Sequence, residues 1–563
     1  MTSLSHSVLV RKHRTRRAGI LAGALGGVAL VIALLVAVPI GAIAVNLTRT
    51  TEVMAHLAAT VLPGYIINTA WMMFGVPLAT IVIGTGMAWL VTMCSFPGRR
   101  FFEWAVILPL AAPAYVLAYT YTDFLQHSGP VQTLLREVTG WGPRDYWFPN
   151  IRSLPGAIAL FALTLYPYVY LLARAAFLEQ SVCVLEASRT LGAKPWGAFR
   201  RVALPLARPA IATGAALALM ETLADFGTVS YFGVQTFTTG IYRALYSFAD
   251  RVAAAQLASG LLAFIILVLA AERFSRGRRR FDQTTGLYRP IRRFELKGAK
   301  SIGAWLFCAL PMGLGFVLPA ILLLKMTIED GHVLFGARYV RLVWNSVSLA
   351  GMTAAIAVLL ALLLAYANRH IRRPFIRGAI RFAATGYAIP GSIIAVGILI
   401  PLALFDNWLD GLMRATFGLS TGLLLTGTGV ALIYAYLVRF LAVSLQTAEA
   451  SLAKITPSMD EAARTLGRGP WGTAAAIHAP LMSGSLMTAA LIVFVDVMKE
   501  LPATMILRPF NFDTLAVQAH NLAADERLTQ ASTASLMIVV AGVIPVVLLS
   551  RRIARSRPGG RIE

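Results

Sequence analysis

Glu221 and Asp225 stand four residues apart in an otherwise apolar stretch. A constant step of 275 residues carries them onto Asp496 and Glu500. On a helix, residues four apart share one face. Ionisable groups at membrane depth are costly, and they face a pathway or one another. Two uses are open for these four acids. They can line or rim a translocation path, where their field favours cationic cargo. They can also serve as interfacial or structural pairs with Arg or Lys. Lys499 stands beside the second pair, and Arg243 and Arg508 are candidate counter-charges.

Upstream of each acid pair, the same step repeats a polar, glycine-punctuated segment. EASRTLGAKPWGAFRRVALP runs from Glu186 to Pro205, and EAARTLGRGPWGTAAAIHAP from Glu461 to Pro480. Each begins with residues that can form a short helix with an apolar edge. Gly192 and Gly467 interrupt that helix and permit a tight turn. Pro195 and Pro470 restrict the exit. Pro205 and Pro480 stand where a following helix could begin. An ungapped parallel repeat of this kind implies two homologous halves of one orientation.

Covalent chemistry has no candidate. No nucleophile–base constellation is visible, and the eight histidines show no metal spacing. Cys94, Cys183 and Cys308 give neither a disulfide framework nor a ligand cluster. The chain has no G-x-x-x-x-G-K-[ST] phosphate loop. It is therefore expected not to be an enzyme and to hold no cofactor of its own.

The elements that position these residues are apolar spans. The chain of 563 residues is 57% hydrophobic and 13% charged, with mean hydropathy +0.70. A soluble protein carries about twice that charged share. Runs of about twenty apolar residues recur, each long enough for a hydrocarbon core of about 30 Å. The expected fold is an all-α polytopic membrane protein with about twelve transmembrane helices in two homologous six-helix halves. The expected spans are about 20–45, 64–92, 102–121, 157–177, 209–226 and 252–271, then 302–325, 346–367, 378–402, 421–443, 483–500 and 530–549.

The net charge of +24 is gathered at the ends of these spans, which anionic lipid accounts for without nucleic acid. Arg11, Lys12, Arg14, Arg16 and Arg17 precede the first span, whose apolar core is too long for a cleaved signal. Basic loops follow the second, sixth, eighth and twelfth spans. The positive-inside rule then predicts both termini and both repeated loops on the cytoplasmic side. The expected organisation is a cytoplasmic tail at 1–18, a first transmembrane domain at 19–272, a basic cytoplasmic linker at 273–300, a second transmembrane domain at 301–550 and a cytoplasmic tail at 551–563. The segment Thr122–Pro155, with Trp141, Tyr146 and Trp147, falls outside as interface anchors or a short lid.

The doubled segment, Glu-Ala-Ala/Ser with Gly six residues after the Glu, resembles the EAA loop of permease subunits in bacterial binding-protein-dependent ABC importers of type I. Ser188 and Ala479 are mild departures from it. The resemblance implies that Glu186, Ala187 and Gly192 dock one copy of a cytoplasmic ABC ATPase subunit, and Glu461, Ala462 and Gly467 the other. ATP and Mg would be bound by that partner. The stretches Ala216–Asp250 and Val495–Ala516 resemble the iron(III) importer permeases, in which two halves are often fused. That likeness implies a bacterial inner membrane location, ferric cargo and a periplasmic or lipid-anchored substrate-binding protein. Fused thiamine permeases are the main rival, and polyamine permeases are usually two separate chains. An ion-coupled secondary transporter, with the acids as relays, and a membrane scaffold are the readings of other classes.

Overall fold

The computed structural model describes residues 2–179, 195–276, 293–329, 336–371 and 373–555. Glu186, Ala187 and Gly192 of the first repeated loop lie outside these residues, as does most of the basic linker. Among the described residues, eleven helices are long and apolar enough to cross a membrane, and twelve if one bent pair counts as a span. The chain is a multi-pass membrane protein. Helices dominate because hydrocarbon offers no water to backbone amides and carbonyls, so each span must satisfy its own.

Two expected spans are interrupted at a proline, and a third, 421–443, is a helix only from Gly429 to Leu452. The expected helix 102–121 is a pair, Arg99–Ala111 and Ala114–Thr139, bent by 90°. Pro113 sits at the break and carries no amide hydrogen for a continuous helix. The expected helix 378–402 begins only at Gly391, after Pro390, and runs to Phe417. Residues Pro374–Ala383 form a separate helix, with Ile376 and Ile380 buried and Phe375 exposed. Both halves thus place a short helix, a 3-10 turn and a proline before the helix that follows.

The chain packs as two compact units that do not follow sequence order. One consists of residues 50–343 and 513–563, the other of residues 1–49 and 344–512. In the first unit, helix Leu62–Met93 packs against Leu154–Glu179 and Leu204–Ala224. The approach is close because Gly84 leaves room: a Cβ there would lie 2.7 Å from the Tyr166 carbonyl oxygen and 2.8 Å from Val169. Small residues at crossings are how membrane helices gain contact, since lipid is as apolar as a core side chain. Met87, Phe102, Tyr166, Tyr170 and Phe177 fill the space beneath. A two-residue parallel bridge pairs Cys94–Ser95 with Phe294–Glu295.

In the second unit, the N-terminal helix Thr2–Val45 packs on Gly391–Phe417 and Pro374–Ala383. The Tyr434 hydroxyl donates to the Leu35 carbonyl. Helix Gly429–Leu452 packs on Ala479–Met498, the helix that leaves the second repeated loop.

Candidate functional site

The second repeated loop is built by local rules. Pro457 opens helix Pro457–Thr465, where a missing amide hydrogen costs nothing. Asp460 lies in the first turn, where a helix dipole favours an acid. Gly467 ends the helix at φ +78°. The Arg468 amide reaches back to the Ala463 carbonyl at 3.0 Å, which closes a Schellman turn. Only a residue tolerant of the left-handed region serves there, so the Gly expected to interrupt this helix does so.

Ala463 is 1% exposed and anchors the helix, whereas Glu461 and Ala462 face solvent. Met459 and Leu466 are also exposed, Leu466 at 80%. The loop helix therefore presents a mixed apolar and acidic edge beyond the spans.

Behind that edge lies a polar network. Asp460 takes Arg369 Nη2 at 2.6 Å on one oxygen and meets His478 Nε2 at 2.7 Å on the other. The opposite nitrogen of His478 meets the Tyr366 hydroxyl at 2.6 Å. Arg369 also donates to the carbonyls of Leu452 and Ile455. Burial pushes the Asp460 carboxyl upward, but hydrogen bonds and charge from Arg369 and His478 outweigh it and hold the group below the usual range.

The prolines expected to start the next helix lie inside it. Pro470–Thr473 is helical, Ala474–His478 is a π turn, and Ala479–Met498 continues. Pro480 cannot donate to the preceding turn, and the wider π turn absorbs the defect. The first half repeats this at the same offset. Pro195–Ala198 is followed by a π turn over Phe199–Ala203 and then by Leu204–Ala224 with Pro205.

The paired acids are not carried on shared helix faces. Helix Leu204–Ala224 ends just before Asp225, whose backbone is extended. Its carboxylate accepts from the Thr228 amide and hydroxyl and from the Val229 amide, and so caps the next short helix, Gly227–Tyr231. Glu500 does the same after helix Ala479–Met498. It accepts from the amides of Ala503 and Thr504 and the Thr504 hydroxyl. Its charge is met by Arg439 Nη1 at 3.2 Å, with both side chains buried. Gly391 makes the space, since a Cβ there would collide with this pair. Arg439, not Arg508, is thus the counter-charge of Glu500. Asp496 pairs with Lys499 at 2.9 Å. Glu221 and Asp496 are partly exposed.

Sequence reasoning missed a further group and named another only by its aromatic residues. His520 meets the Tyr119 hydroxyl at 2.8 Å beside the ring of Phe226, and burial pushes its imidazole down to about 4. It is neutral at ordinary pH. The segment Thr122–Pro155 contains helix Pro130–Thr139 and borders a polar cleft of about 490 Å³ lined by Gln126, His127, Tyr146 and Arg152. Trp147 is 85% exposed, while Tyr146 is held by Gln132 and Arg136. Among the described residues, no group of three or more His, Cys, Asp or Glu could hold a metal ion.

Comparisons with known proteins agree with this architecture. Residues 80–280 match the family described as the binding-protein-dependent transport system inner membrane component. The chain is 27% identical over 512 residues to the Fe(3+)-transport system permease protein FbpB 2 of Haemophilus influenzae, spanning 90% of this chain and 93% of that one. It is 26% identical over 517 residues to the ferric transport system permease protein FbpB of Actinobacillus pleuropneumoniae, across 86% and 71%. It is 30% identical to the molybdenum transport system permease protein ModB of Escherichia coli, but over only 28% of this chain and 65% of that one. Residues 80–280 are thus similar to an inner membrane component domain of binding-protein-dependent transport systems.

Proposed function

We propose, from that domain as premise, that the chain is the permease of an ATP-driven importer of ferric iron. Its two repeated loops would be the levers on which a dimer of cytoplasmic ATPase subunits acts. The observation that carries this reading is the second loop helix, whose outward edge of Met459, Glu461, Ala462 and Leu466 is exposed while its inner edge is tied to membrane spans. A partner that grips this edge moves those spans with it. The similarity to ferric permeases along 90% of the chain supports the cargo. The match to the molybdenum permease favours a second cargo, molybdate, though over a much shorter stretch.

The mechanism follows from differential binding. A loaded substrate-binding protein engages the outer face, with the cleft near Tyr146 and Arg152 as one contact. ATP draws the ATPase subunits together, both loops shift, and the cavity opens outward. Hydrolysis restores the inward-facing state. Each ligand moves the equilibrium only by as much as its affinity differs between the two conformations. Both termini and both loops lie in the cytoplasm of this scheme. Glu186, Ala187 and Gly192 play in the first loop the part of Glu461, Ala462 and Gly467 in the second. We assign the path role to the partly exposed Glu221 and Asp496, and a capping role to Asp225 and Glu500. Membrane lipid is the remaining partner.

The test is uptake of labelled ferric iron, molybdate and thiamine into vesicles holding the chain with its ATPase and binding protein. ATP-dependent uptake of ferric iron alone is expected. Uptake of molybdate or thiamine instead would overturn the cargo, and uptake without any ATPase would overturn the class.

A further inference from the structure

The polar network behind the second loop can be set against the same places in the first half. The helices leading into it end at His370 here and at Met93 there, a step of 277, so Tyr366 and Arg369 correspond to Trp89 and Thr92; at the loop's own step of 275, Asp460 and His478 correspond to Leu185 and Ala203. None of these four corresponding residues is ionisable. Trp89 and Ala203 are buried within one apolar cluster, and the buried Thr92 hydroxyl donates to the Ala88 carbonyl. Leu185 lies outside the described residues, and its contribution here is its residue type. The π turn that ends at Ala203 in one half and at His478 in the other is nevertheless shared, at the same register.

We infer that Tyr366, Arg369, Asp460 and His478 are positioning residues that latch the second loop helix to its spans. Charge-assisted hydrogen bonds are directional and fix an orientation. Apolar contact is non-directional and tolerates rotation and sliding. Asp460 is the only member on the loop helix itself. Its partners stand on the end of helix Ala337–His370 and on the π turn ahead of Ala479–Met498, and Arg369 extends the hold to the end of Gly429–Leu452. One carboxylate thus joins the loop to the ends of three spans. His370 stacks on Tyr366, and Glu449 holds Asn368, so neighbouring groups brace the same helix end. A force applied at Glu461 or Leu466 has a stiff route into the membrane.

This inference rests on the proposed importer reading, and the two fail separately. The experiment uses the full chain reconstituted with its ATPase and binding protein, and reads cargo moved per ATP hydrolysed. One variant installs the residues of the corresponding first-half positions: Tyr366→Trp, Arg369→Thr, Asp460→Leu and His478→Ala together. A second, Asp460→Asn, keeps shape and removes charge. A third, Asp460→Glu, returns a carboxylate. The fourfold variant is expected to retain the ATPase subunits while cargo per ATP falls roughly tenfold, the scale of one or two charge-assisted hydrogen bonds. Asp460→Asn is expected to fall in the same direction by less, and Asp460→Glu to recover part of the loss. An unchanged ratio in Asp460→Asn, in a normally assembled complex, would overturn the latch and leave the importer reading intact. A wild-type chain that binds no ATPase would overturn the importer reading and the latch with it.

Discussion

The two halves hold equivalent positions by different chemistry. After each repeated span a carboxylate turns back to cap the next short helix. Asp225 does so with Thr228 and Val229, whereas Glu500 adds a buried partner, Arg439. Behind the second loop stand Asp460, Arg369 and His478, where the first half has Leu185, Thr92 and Ala203. The first half places an ion pair elsewhere. Arg174 meets Glu103, which also faces Arg99, and Tyr170 donates to the Glu103 carbonyl. At the offset Arg174 corresponds to Glu449, which accepts from Asn368. A duplicated backbone keeps its turns and caps, which depend on local geometry. The side chains behind them are replaceable so long as each buried polar group finds a partner.

The largest difference between the halves is expected at the caps. Glu500→Ala leaves the Arg439 charge buried without this partner, a loss of about 3–5 kcal/mol. Asp225→Ala removes a cap, at a cost of about 1 kcal/mol. Thermal melting of the purified protein should show a far larger drop for the first. Equal drops would mean that Arg439 adds nothing.

Next in size is Gly467→Val. A side chain at φ +78° costs about 1–2 kcal/mol of backbone strain, which the loop helix relieves by losing its Schellman turn. ATP-driven uptake should fall about tenfold while the melting temperature shifts little, because a Cβ there meets no neighbour. Full uptake would show that the turn at Gly467 is dispensable.

The smallest effect concerns pH. The Asp460 carboxyl is held below its ordinary range in the folded protein. Its contribution is therefore complete above the unfolded carboxylate value of about 3.9 and is lost as pH falls through the lower folded value. The melting difference between wild type and Asp460→Asn should be constant at neutral pH and shrink only in strong acid. A difference that faded near neutrality would place the charge elsewhere in the network.

Much of the fold was legible because spans announce themselves by length and apolarity. The breaks at Pro113 and Pro390 were not, since hydropathy continues across them while the backbone does not. The two repeated loops were legible as a motif, and Gly467 stands where it was expected. The use of Asp225 and Glu500 was not legible, because a four-residue spacing reads as one helix face until the helix is seen to end. Arg439 and the latch escaped for a different reason. Asp460 and Arg369 are 91 residues apart, and Tyr366 and His478 are 112 apart. No periodicity links such pairs; only packing brings them together.

The most direct measurement places one reactive cysteine on the exposed loop edge, as Ala462→Cys, and seeks a cross-link to the ATPase subunit in native membranes. The account predicts a cross-link that strengthens or weakens with ATP. A cysteine that labels only from the opposite side of the membrane, or never meets the ATPase, would contradict it.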